Sequence, residues 1–105
     1  MSWLYLLVAG ALEIVWAVGL KSTEGFTRPL ASAVTLVAMA ASLWLLALAM
    51  RELPVGTAYA VWTGIGAAGT AIVGMAVLGD PVTAGRVASI SLIVGGVLGL
   101  KFASG

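Results

Sequence analysis

The chain has 105 residues, 62% of them hydrophobic and 9% charged, with a formal net charge of +1. An ordinary soluble domain carries about 25% charged residues, which excludes a water-soluble fold of this size, and the lack of any basic run excludes nucleic-acid binding. With no Cys and no His, disulfides, thiolate metal sites and imidazole proton carriers are absent; no metal or cofactor is expected, and proton chemistry falls to carboxylates.

Four apolar runs follow one another along the chain. The first covers residues 3–20 and is closed by the polar stretch from Lys21 to Arg28. It carries an acid in its middle and no basic leader, so it reads as a retained helix rather than a cleaved signal peptide. The second covers residues 29–50 and ends at Arg51, Glu52, Leu53 and Pro54; the third covers residues 55–78 and ends at Gly79, Asp80 and Pro81. The fourth covers residues 82–100, with Arg86 in its first turns. At about 1.5 Å per residue, each run spans or nearly spans a hydrocarbon core about 30 Å thick. The expected fold is all-α: one four-helix transmembrane domain over residues 1–105, its short loops forcing neighbours antiparallel.

Four helices enclose little space, which points to an oligomer. In the fourth run Gly95 and Gly99 form a GxxxG pair, and Ser89 and Gly96 share a face, so these four are candidate dimer contacts. Packing within the subunit is the equal alternative for either pair. Arg51 and Lys101 fall on one side of the membrane and Lys21, Arg28 and Arg86 on the other, which is almost no positive-inside bias. A chain so balanced inserts either way up, and an antiparallel, dual-topology homodimer is its simplest assembly. Such a dimer has the inverted symmetry that alternating access uses.

Glu13 is the one acid deep inside an apolar run, about 15 Å beyond Trp3 by helical rise. A charge at that depth costs at least about 2.5–3.5 kcal/mol, so such a residue usually faces a cavity or a partner. There it binds a proton or a cation in exchange, or else stays protonated and bonded to a backbone carbonyl; no basic residue in a span interior neutralises it. Trp16 lies one turn beyond Glu13 on the same face, and Gly10 lies one turn before, leaving room for a ligand or a partner's backbone. Tyr59 and Trp62 repeat the spacing in the third run, so π faces gather near the carboxylate as a cation site requires; simple bundle packing is the competing reading. Trp3, Tyr5 and Trp44 fit an interfacial aromatic belt instead. Ser42, midway along the second run, either orients the carboxylate or bonds the carbonyl one turn back in its own helix. Gly64 and Gly66 mark a bend point of the third helix or, equally, a close helix contact.

The four spans, the lone Glu13 and the string PVGTAYAVWTGIGAAG from Pro54 to Gly69 resemble the small multidrug resistance family of bacterial inner-membrane transporters, over the whole chain. WAVGLK from Trp16 to Lys21, GFTR from Gly25 to Arg28, Ser42 and Lys101 look like its guanidinium-exporting subtype rather than its quaternary-ammonium subtype. The resemblance implies an antiparallel homodimer that exchanges a guanidinium-type cation for protons. It implies that Glu13 of both subunits binds substrate and protons in competition, in a site lined by Gly10, Trp16, Ser42, Tyr59 and Trp62, with the fourth helix as the main dimer contact. The alternatives are an exporter of quaternary ammonium or polyaromatic cations and a non-transporting structural subunit. An enzyme is not expected, since no nucleophile, base and oxyanion donors form a set, and one acid per subunit makes a poor channel lining.

Overall fold

The computed structural model describes residues 1–103, so the last two residues of the domain expected over 1–105 lie outside the described residues. Four helices follow in order: α1 (Ser2–Ser22), α2 (Pro29–Ala49), α3 (Val55–Val77) and α4 (Ala84–Ala103). All four are long and apolar enough to cross a membrane. Helices satisfy every backbone N–H and C=O internally, which lipid demands of a spanning segment.

The turns carry the local signals that stop each helix. Between α1 and α2, Glu24, Gly25 and Phe26 stand at φ 49°, 73° and 66°, a left-handed stretch that two non-glycine residues enter against their steric preference. Thr23 holds this turn. Its hydroxyl donates to the Leu20 carbonyl at 2.7 Å and accepts from the Phe26 N–H at 3.2 Å, while its carbonyl accepts from Thr27 and Arg28. Pro29 then occupies the first turn of α2, where its missing N–H costs nothing. After α3, Gly79 at φ 78° lets the Asp80 N–H return to the Gly74 carbonyl at 3.0 Å. The fourth helix starts at Ala84 rather than at residue 82 because Thr83 caps it: the Thr83 hydroxyl accepts from the Arg86 N–H at 3.1 Å.

The helices form a thin slab, with Cα extents of 42 × 35 × 16 Å. Their spatial order is α2, α1, α3, α4, with α2 touching α3 only sparsely. Two traverses separate α1 from α3, so those two run parallel. Close approaches confirm the register, since the numbers rise together from Gly10 against Ile65 to Glu13 against Gly66 and Ile14 against Gly69. Leu6, Ala9, Leu46, Ala49, Ala58, Val61 and Trp62 form the core, drawn from α1, α2 and α3. No described residue of α4 is buried.

Candidate functional site

The α1–α3 seam positions the site. Gly66 has no side chain, and the Glu13 carboxyl lies so close against it that a Cβ there would overlap Oε1 and the carboxyl carbon. One turn earlier the space beside Gly10 is filled by Ile65, and beyond the acid Ile14 presses on Gly69. Apolar contacts thus flank, above and below, the bare backbone on which Glu13 rests. Its Oε1 is buried and has no hydrogen-bond partner within the subunit. The indole N–H of Trp16, one turn away, is buried and unpartnered as well. Native interiors rarely leave such groups unpaired.

Ser42 departs from both courses its position suggests. Fully buried, it donates its single proton to the Ala9 carbonyl at 2.7 Å and accepts the Trp62 indole N–H at 3.0 Å. The α-helical pattern brings the backbone N–H of Glu13 to that same Ala9 carbonyl. The chain Trp62–Ser42–Ala9 therefore joins α3, α2 and α1 one turn before the acid, and it supplies a direct polar tie between α2 and α3. With its proton committed, the Ser42 hydroxyl has none to give the Glu13 carboxylate of its own subunit. It positions Trp62 instead.

Tyr59 and Trp62 form a tilted pair, ring centroids 5.5 Å apart at 50°, within the usual range for aromatic neighbours. They differ in setting: Trp62 is 6% exposed and Tyr59 54%. Gly64 and Gly66 lie in an unbroken α3, and each makes a close approach, Gly64 receiving Val97 and Ile93 of α4. The reception of Glu13 by Gly66 has no signature in the sequence beyond a glycine in an apolar run. Ser89, by contrast, turns its hydroxyl to its own Gly85 carbonyl at 2.8 Å, and a Cβ on Gly95, Gly96 or Gly99 would meet nothing within 4 Å. These four residues leave a smooth strip on the face of α4 turned away from α3 contacts such as Gly64 with Val97. Among the described residues no group of His, Cys, Asp and Glu could hold a metal ion.

Residues 1–93 match the family model described as Small Multidrug Resistance protein. A protein of Yersinia pseudotuberculosis serotype I named guanidinium exporter is 58% identical over 104 residues, covering 99% of this chain and 100% of its own length. Proteins of the same name from Citrobacter freundii and Escherichia coli O6:H1 are 57% and 59% identical, covering 99% of both chains in each case. Four apolar helices, a lone acid within an apolar span and these matches make one conclusion plain: the chain belongs to the small multidrug resistance family, as a multi-pass protein of the inner membrane.

Proposed function

We propose that the chain exports guanidinium and related small guanidinyl cations in exchange for protons, as an antiparallel, dual-topology homodimer in which Glu13 of both subunits binds substrate and protons in competition. It is a transporter and not an enzyme. The observation that carries the reading is the Glu13 carboxyl, seated against Gly66 at the seam with Oε1 unpartnered, in a chain whose relatives bear the name guanidinium exporter.

Guanidinium suits such a place. It is planar, presents paired N–H donors in the fork geometry that carboxylates accept, and is more weakly hydrated than an ammonium, so stripping its water costs less. The exposed face of Tyr59 beside Trp62 offers a surface for its flat side. The thin slab and the open glycine strip on α4 favour a second copy closing the site. Two carboxylates facing one monovalent cation retain proton-binding capacity when the cation leaves. Mutual exclusion at one site then couples the two flows, provided the empty, deprotonated dimer rarely switches sides.

Purified protein in liposomes with an imposed pH gradient tests this directly. Wild type accumulates guanidinium uphill, and E13Q, which keeps the shape but cannot exchange a proton, remains folded and does not. Uphill guanidinium transport by E13Q would remove the exchange role of Glu13.

A further inference from the structure

Glu13 and Trp16 are not the only open polar groups along the spans. The hydroxyl oxygen of Thr70 on α3 is also buried and without a hydrogen-bond partner. It contrasts with Ser89 and Ser91 of α4, each of which donates to the carbonyl four residues back at 2.8 Å. The carbonyl of Gly66 stands at that same offset from Thr70, and Thr70 leaves it alone. Its position is equally distinctive. At about 100° per residue, Tyr59, Trp62, Thr63, Gly66 and Thr70 fall within an arc of about 100° on α3. Gly66, the seat of the Glu13 carboxyl, lies inside that arc, and Thr70 is the next residue of the stripe beyond it, one turn toward the end that carries Lys21 and Arg28.

We infer that Thr70 is a further substrate-contacting and specificity-determining residue, its hydroxyl oxygen accepting an N–H of the bound guanidinium that does not face Glu13. The inference rests on the transport reading above. A guanidinium ion has donors on all three nitrogens and no acceptor, so a site that recognises it fully needs acceptors beyond the carboxylate. Around Glu13 the Trp16 indole is a donor only, and the Ser42 hydroxyl, donating to Ala9 and accepting from Trp62, keeps a single lone pair. The Thr70 oxygen is free to accept, one helical turn from the carboxylate seat, where residues four apart are neighbours. A site that hydrogen-bonds its substrate's N–H groups discriminates strongly against analogues lacking them. Thr70 therefore sets a preference for guanidinium over cations whose outer nitrogens are alkylated.

The test uses T70V, which keeps the branched shape and removes the hydroxyl, and T70S, which keeps the hydroxyl. Guanidinium binding is read by tryptophan fluorescence on the purified full-length protein at high pH, and proton binding by the same signal in a pH titration without substrate. T70V should bind guanidinium about tenfold more weakly, as for loss of one hydrogen bond from a charged donor, with an unchanged proton titration, and T70S should restore wild-type affinity. Unchanged guanidinium affinity in T70V, alongside Glu13-dependent binding by wild type, would overturn this inference alone. A matched shift in both titrations would also overturn it, since Thr70 would then act only on Glu13. Wild type that bound no guanidinium would overturn the transport reading and this inference with it.

Discussion

The α1–α3 seam and the fourth helix are built from the same small and apolar residue types, yet they end in opposite states. At the seam every glycine named above is filled by a neighbour, Gly10 by Ile65, Gly66 by Glu13 and Gly69 by Ile14. On α4 the glycines at 95, 96 and 99 face open space and no described residue is buried. Glycine content therefore says little by itself. What matters is whether the facing helix supplies a side chain to fill the groove, and in lipid that filling is the main source of helix association. The glycine grooves of the seam are filled within one subunit, whereas among the described residues nothing fills the strip on α4.

Adding one methyl at each place gives the largest expected contrast. G66A drives a Cβ into the Glu13 carboxyl, and overpacking of about 1–3 kcal/mol should weaken guanidinium binding by about tenfold or more in the fluorescence assay. G95A adds its methyl to open space, so helix content and subunit folding should stay at wild-type levels, while the monomer–dimer equilibrium in detergent, followed by analytical ultracentrifugation, shifts if α4 is the contact between copies. A silent G66A together with a G95A that unfolds the subunit would reverse the comparison.

A smaller effect is expected at Ser42, which ties the finished part of the subunit together. S42A removes the donor to Ala9 and strands the Trp62 indole N–H, a loss of about 1 kcal/mol, visible as a lower thermal midpoint in detergent. Hydrogen exchange should rise in α2 and α3 while α4 is unchanged. The smallest effect belongs to a contact between α4 and α1. Lys101 places its ammonium 4.7 Å from the Trp3 ring centroid, an interaction of about 0.5–1 kcal/mol. K101M should lower the thermal midpoint slightly and alter Trp3 fluorescence, without changing guanidinium affinity; a loss of affinity would show that the fourth helix reaches the site through this contact.

Much of this protein can be read from its residues in order. Runs of about twenty apolar residues have one outcome in lipid, so the helices and their alternation follow from length and composition. The choice of Glu13 as a candidate follows from the cost of a carboxyl at that depth, and the nearness of Trp16 follows from helical periodicity. Partners that lie across helices could not be read this way. Nothing in the spacing of Ser42 distinguishes its own helix from the Ala9 carbonyl of α1, because that choice depends on how deeply α1 and α2 interlock. Gly64 and Gly66 read equally as a bend or as contacts, and the offset between α1 and α3 is what brings Val97 to one and Glu13 to the other. The open hydroxyl of Thr70 is likewise invisible in a string of letters, since an unpaired group is defined by what does not come near it. Local sequence determined which segments cross and which residue types are costly there, because both depend on solvent alone. Tertiary structure decided which of them meet, because contact depends on the relative shift and rotation of whole helices.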